Sequence, residues 1–213
     1  MNESAKRSIT GITYIAIMCL GTFYSKWSFT LLFLAISIIS LYEMVKLRKG
    51  KRKTLALLYV IIPFTLIHFL VRDHQLLTKD SLNTDLILFI FILTWTFDTF
   101  AYIFGRKFGK NKIIPSISPK KSWEGLAGGY LFTIIATCIS TRYILTINPK
   151  LIIYITLLLP FTATLGDFIV SYYKRKAGVK DSGKLIPGHG GMLDRMDAFI
   201  ITIPVTYILN IIL

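Results

Sequence analysis

Seven apolar stretches dominate this chain, at approximately residues 9–25, 27–45, 54–71, 86–105, 126–145, 151–173 and 196–213. Each is long enough, or nearly so, to cross a bilayer core of ~30 Å. In lipid a backbone must satisfy its own hydrogen bonds, so such stretches can only be helices or strands of a closed barrel. Uninterrupted runs of this length point to helices. The expected fold is therefore all-α: a polytopic integral membrane protein with about seven transmembrane helices. The 27–45 run could instead be bent, because Ser37, Ser40, Tyr42 and Glu43 interrupt it. The first run lacks a small-x-small cleavage site and flows into a second, so no cleavable signal peptide is expected. Short connections leave no room for a soluble domain, and any active site must be built from helix ends and loops. The chain reads as one transmembrane domain, with N-terminal spans over 1–84 and a chemistry-bearing half over 85–213.

Charge sets the orientation. Of the 25 Lys and Arg residues, 20 fall on one side if the spans alternate from an N-terminus in the cytoplasm. These are Lys6 and Arg7, the bases from Lys46 to Lys53, those from Arg106 to Lys121, and those from Lys174 to Arg195. The opposite side keeps Lys26, Arg72, Lys79, Arg142 and Lys150. This asymmetry follows the positive-inside rule and places the C-terminus outside. The net charge of +14 thus belongs to one membrane face. For the RKGKRK run near residue 50, topology signalling and attraction to anionic lipid suffice as an explanation. Nucleic-acid binding is not expected without a soluble module. Cys19 and Cys138 lie inside spans in no ligand spacing, and read as buried small hydrophobes. His68 and His74 lie toward the opposite face and read as incidental.

Acids within the apolar stretches carry the functional signal. Asp98 lies eight residues before Arg106, and Asp167 seven before Lys174. At 1.5 Å per residue, each sits roughly 10–12 Å along its helix from a basic flank. Asp194 and Asp197 open the last span from that side. An ionised group near a bilayer centre costs at least ~2.5–3.5 kcal/mol. Four acids at one depth need a common partner, and a divalent cation is the natural one. Helical spacing puts Asp98 and Tyr102 on one face, Asp167, Ser171 and Lys174 on another, and lets Asp194 and Asp197 point at one ion. Oxygen-only ligation suits Mg²⁺, which takes one or two carboxylates and fills its shell with substrate phosphates. Whether one ion or two would bind is left open. The alternative is a set of buried Asp–Lys or Asp–Arg pairs tying helices together.

Two connections supply matching cations. The 106–125 loop carries six bases, and Ser118, Lys120, Lys121 and Ser122 precede Glu124 at a helix start. Hydroxyls, ammonium groups and a helix N-terminus together cradle phosphate well. Between Gly166 and Asp197 lie the acids Asp167, Asp181, Asp194 and Asp197 and the bases Lys174, Arg175, Lys176, Lys180, Lys184 and Arg195. Gly188, Gly190 and Gly191 flank His189 there, and glycines allow the close backbone approach that phosphate oxygens need. His189 could donate to a phosphate, act as an acid or base, or cap the turn.

The stretch from Ser171 to Asp197, SYYKRKAGVKDSGKLIPGHGGMLDRMD, resembles the signature of phosphatidate cytidylyltransferases, also called CDP-diglyceride synthetases. Tyr173 stands where that pattern has Met or Phe. Asp98-x-x-Ala101-Tyr102-x-x-Gly105-Arg106-x-Phe108-Gly109 and Ser118-Pro119-Lys120-Lys121-Ser122-x-Glu124-Gly125 are also similar to the family, so the likeness covers roughly residues 95–197. The first three spans match only in character, and the chain is shorter than typical bacterial members. The resemblance implies transfer of the cytidylyl group of CTP to phosphatidate, giving CDP-diacylglycerol and pyrophosphate for phospholipid synthesis. It also implies an enzyme of a bacterial-type inner membrane, with its site on the cytoplasmic side and Mg²⁺ as cofactor. By resemblance the metal ligands are Asp167 and Asp194, to which the depth argument adds Asp98. Asp167, Asp194, Asp197, His189, Lys180 and Asp181 are the expected catalytic set. Lys120, Lys121, Ser118, Lys174, Arg175, Arg195, Gly190 and Gly191 are the expected phosphate-binding set. CTP, phosphatidate and membrane lipids are the expected partners, and a homodimer is one of the states left open. A proton or cation transporter is disfavoured, because the acids share one depth and do not line a path. A CDP-alcohol phosphotransferase is disfavoured because its DG-x2-AR arrangement is missing.

Overall fold

A computed structural model describes residues 3–48, 53–71, 84–143, 147–186 and 190–213. Its seven helices are α1 (Glu3–Phe23), α2 (Lys26–Leu47), α3 (Lys53–Leu70), α4 (Asp85–Phe108), α5 (Trp123–Ser140), α6 (Pro149–Ala177) and α7 (Leu193–Ile212). Each overlaps one apolar stretch. Among the described residues the β-structure is limited to two isolated bridges, Lys112 with Ser122 and Ile186 with Gly190. The protein is an all-α membrane protein. By length and hydropathy, α2, α4, α6 and α7 can each cross a bilayer, while Thr10–Phe23 and Thr54–Leu70 are shorter apolar segments. The outer surface explains the assignment. Ile12, Leu20, Leu31, Ile38, Ile139, Ile153 and Ile211 are each more than half exposed. A water-soluble surface avoids so extensive an apolar patch, whereas lipid accepts it.

Local sequence accounts for the helix limits. Ser25 caps α2 in a reciprocal box with Ser28, and Ser122 caps α5 by accepting from Gly125 N at 3.2 Å. Pro149 occupies the first turn of α6, where its missing N–H costs nothing. Gly178 ends α6 in the left-handed conformation at φ 74°. Pro63, Pro160 and Pro204 are retained inside helices. The bend considered for residues 27–45 does not occur: Ser37, Ser40, Tyr42 and Glu43 all lie within the continuous α2. Both cysteines are free thiols, but they are not buried as expected: Cys138 is exposed and Cys19 only partly buried, on helices whose outer faces meet lipid in place of protein.

Helix pairing positions the polar residues. The principal neighbours are α4 with α5, α6 with α7, and α2 with α3, and α7 also packs on α3 and α2. The α4–α5 contact is made through small residues, as membrane helices favour. A side chain at Gly125 would stand 2.7 Å from Ala101 O, and one at Gly129 would meet the Phe97 ring. The α6–α7 approach is closer still, since a Cβ at Gly166 would overlap the carbonyl oxygen of Asp197. That contact brings Asp167 beside Asp197. Three connections meet at one end of the bundle. The Arg48 guanidinium lies 4.8 Å above the Tyr173 ring, Arg175 Nε donates to Ile117 O at 3.2 Å, and Leu193 N donates to Glu43 Oε2 at 2.9 Å. The basic segments after α2, α4 and α6 thus share a face, as the charge asymmetry requires.

Candidate active site

At that end a cavity of about 240 Å³ opens between α4, α6 and the loop before α5. Asp98, Tyr102, Ser118, Lys120, Lys121, Thr164 and Asp167 line it. Asp98 and Tyr102 face it together, as their spacing on α4 demands. The loop is held by Glu124, whose carboxylate accepts from Asn111 N at 3.0 Å and Asn111 Nδ2 at 2.9 Å. Trp123 N donates to Asn111 O at 3.0 Å, closing the loop base. Backbone N–H donors at its own helix start and at Asn111 hold the Glu124 carboxyl below its ordinary value. With its base pinned, the loop delivers Lys121 Nζ to Asp167 Oδ2 at 2.7 Å. Ser171 Oγ donates to Asp167 Oδ1 at 3.1 Å, one turn along the same face of α6.

A second centre lies at the start of α7. Lys174 Nζ meets Asp194 Oδ1 at 2.6 Å, with both side chains about nine-tenths buried. Asp194 Oδ2 accepts from Ser182 N at 2.8 Å, Ser182 Oγ at 3.0 Å and Gly191 N at 3.1 Å. Asp194 therefore has three donors of its own, Lys174 Nζ, Ser182 N and Gly191 N, with Ser182 Oγ shared with Glu43, and does not line the α4–α6 cavity. Asp194 and Asp197, which the sequence could set on one ion, have separate hydrogen-bond partners. Asp197 Oδ1 accepts from Ala198 N at 2.8 Å, and the close approach at Gly166 sets it beside Asp167. Asp98 and Asp167 thus share the cavity wall with Lys121, and Asp197 stands next to them across the α6–α7 contact, while Asp194 is paired with Lys174. Lys174 links the two centres, because it stands seven residues along α6 from Asp167 on the same face and pairs with Asp194.

The remaining candidates are distributed more widely. Arg195 is exposed and acts electrostatically on Asp98. Arg175 braces the two loops through Ile117 O and Val179 O. Lys180 and Asp181 are exposed and line a separate groove of about 1080 Å³ between α2 and residues 177–185, with Glu43, Lys46 and Lys184. Gly190 adopts φ 85°, and Gly191 uses its N–H on Asp194. His189 and Gly188 lie outside the described residues, as does His74. His68 makes an edge contact with Phe29 at 5.3 Å.

Two groups escaped the sequence reading. Glu43 is only 4% exposed, and from α2 it accepts from Ser182 Oγ at 2.7 Å, Leu193 N at 2.9 Å and Met192 N at 3.1 Å. Its isolation in an apolar run was the available signal, by the same cost argument applied to Asp98 and Asp167. Ser182 is buried and joins Glu43 to Asp194, and nothing in the local sequence marks it.

Within the cavity the chemistry is that of hard oxygen donors opposed by ammonium groups. Among the described residues no group of three or more His, Cys, Asp or Glu side chains is arranged to hold a metal. Two carboxylates, Asp98 and Asp167, still fit a small hard cation whose other ligands are phosphate and water.

Residues 55–213 match the model of the Cytidylyltransferase family. The chain is 36% identical over 212 residues to the phosphatidate cytidylyltransferase of Rickettsia bellii, covering 96% of this chain and 89% of that protein. It is 46% identical over 126 residues to the enzyme of that name from Staphylococcus epidermidis, covering 59% of this chain and 48% of that one. With the Thermotoga maritima protein of the same name, identity is 47% over 130 residues, covering 57% of this chain and 47% of that one. The two loops, the paired acids and lysines, and the helices that carry them lie inside the matched region, and the chain belongs to the cytidylyltransferase family.

Proposed function

We propose that the chain transfers the cytidylyl group of CTP to phosphatidate, releasing pyrophosphate and forming CDP-diacylglycerol. The observation that carries this reading is the Lys121–Asp167 pair, set in a cavity with Ser118, Lys120 and Asp98 at the basic end of a membrane bundle. The lipid's phosphate oxygen forms the new bond to the α-phosphorus of CTP, and the bond from that phosphorus to the departing pyrophosphate breaks. No protein nucleophile is needed. The protein has to hold two anions against each other, which is a task for fixed cations.

Lys120 and Lys121 are placed to take the triphosphate, with Ser118 as a neutral donor. A bound Mg²⁺ would supply charge neutralisation at the reacting phosphates. Asp167 and Asp98 would hold it by their place in the cavity. Asp194, which the family resemblance assigns to the same ion, would share its carboxylate with Lys174. The site is proposed to face the cytoplasm of an inner membrane, because Lys and Arg concentrate at its end of the bundle.

The test is to incubate membranes containing the protein with labelled CTP and phosphatidate, with Mg²⁺ or with a chelator. A labelled liponucleotide that depends on phosphatidate is expected, and the chelator should suppress it. Absence of liponucleotide from folded, membrane-inserted protein at saturating CTP, phosphatidate and Mg²⁺ would overturn the assignment.

A further inference from the structure

Glu43 lies outside the region that matches the family model, yet it is the buried acid around which the second centre is built. The first turn of a helix presents N–H groups with no partner inside the helix. In α7 the residue at the cap, Met192, offers no side-chain hydrogen bond. Glu43 fills that role from a different helix, receiving Met192 N and Leu193 N on its two oxygens. Ser182, Gly183 and Gly191 then pack against the carboxylate. A Cβ at Gly183 would overlap Glu43 Oε1, and one at Gly191 would overlap Glu43 Oε2. Both glycines thus serve to let backbone reach this one side chain. Ser182 Oγ touches Glu43 Oε2 at 2.7 Å and Asp194 Oδ2 at 3.0 Å, and its single hydrogen can serve only one of them at a time.

From these contacts we infer that Glu43 is a positioning residue for the cytidylyl transfer. It fixes the start of α7 and Ser182, and through them the Asp194–Lys174 pair. The inference rests on the proposed function, since it needs that pair to act on the reacting phosphates. Glu43 itself touches no substrate. Its carboxylate takes donors from α7 and the loop, and it lines the groove beside α2, not the cavity that holds Lys121. Loss of Glu43 should therefore lower turnover without weakening the binding of CTP, because Ser118, Lys120 and Lys121 belong to a different loop. A purely structural side chain would lower the amount of folded enzyme and leave kcat per folded molecule and KM alone.

The experiment measures kcat and the KM for CTP on purified wild-type, Glu43→Gln, Ser182→Ala and the double variant in phosphatidate-containing micelles, after normalising to folded protein by size-exclusion and thermal unfolding. Glu43→Gln keeps the volume but turns an NH₂ toward backbone N–H donors. It should lose about ten- to hundredfold in kcat, the range seen when a supporting shell is disturbed, with KM for CTP within about twofold of wild type. Ser182→Ala should shift kcat in the same direction. The double variant should lose less than the product of the two, since both act along one chain of contacts. Wild-type kcat in Glu43→Gln, a loss confined to KM, or independent effects of the two substitutions would overturn the inference. If Glu43→Gln does not fold, Ser182→Ala decides alone: a kcat loss at unchanged KM supports it and wild-type kinetics refute it. A wild-type enzyme that makes no liponucleotide refutes the functional assignment instead, so the two failures are distinct.

Discussion

Lys121, from the loop before α5, and Asp167, from the middle of α6, meet at 2.7 Å on the wall of the cavity that Asp98 and Tyr102 also line. Each is only about a quarter exposed, so the pair is partly shielded from water and its charges are felt strongly. Removing one partner should be costly. Lys121→Ala deletes a charge-assisted contact worth about 1.5–3 kcal/mol, which corresponds to about a ten- to hundredfold fall in kcat/KM for CTP. Asp167→Asn keeps the shape of the side chain but removes its charge, and should abolish turnover while the protein still inserts. Near-wild-type kinetics in both variants would reduce the pair to a helix tie.

Gly166 tests whether the α6–α7 approach matters. A methyl group there overlaps Asp197 O, so Gly166→Ala must push α7 away from α6 and with it Asp197 from Asp167. Overpacking of this kind costs about 1–3 kcal/mol. A lower unfolding temperature in detergent, together with lost turnover, is the expected result. An alanine variant with wild-type stability and rate would show that the helices separate freely.

Much of this site was legible from spacing within one helix, and little of it from partners between helices. Ser171 and Lys174 were placed with Asp167 because a helix puts residues four and seven apart on one face. The structure bears this out through the Ser171 hydrogen bond. The same reasoning could not supply the partners of Asp194 and Asp197. Their spacing permits a shared ion, but Lys174 and the Ser182 backbone compete for Asp194 from another helix and a loop. Glu43 went unassigned for a related reason: its partners lie 139 to 150 residues along the chain, where periodicity carries no information. The seven helices were legible because apolar length needs no knowledge of partners.

The loop base should respond to acid. Donors from its own backbone N–H and from Asn111 hold the Glu124 carboxyl below its ordinary value of 4.5. A carboxyl depressed on folding adds stability that is present above the unfolded value and lost as pH falls through the folded one. Hydrogen exchange across residues 109–122 should therefore stay slow above about pH 4.5 and, corrected for intrinsic rates, quicken below it. Glu124→Gln should remove that dependence. A wild-type profile that is flat through the acid range would rule out this role.

Topology can be read directly. With seven spans, reporters fused after Lys53, Lys121 and Lys184 should all score cytoplasmic, and one at Lys79 should score on the opposite side. The Arg48–Tyr173 and Arg175–Ile117 contacts already require the segments after α2, α4 and α6 to share an end. A cytoplasmic score at Lys79 would mean that α3 does not cross.

The lipid substrate should need its acyl chains. Asp98 and Asp167 lie roughly 10–12 Å along their helices from the basic flanks, at about the depth where a phospholipid headgroup meets its chains. CTP would approach from the aqueous side, past Lys120 and Lys121, while phosphatidate would arrive sideways from the leaflet. Binding energy from chains that do not react can be used to position the phosphate, so truncation should lower kcat as well as raise KM. Comparing dioctanoyl phosphatidate with glycerol 3-phosphate at equal concentrations in the same micelles tests this. The short-chain lipid should turn over readily and the chain-free phosphate poorly. Equal rates would mean that the cavity is reached through water, and the acids placed along α4 and α6 would then need a reason other than a membrane-borne substrate.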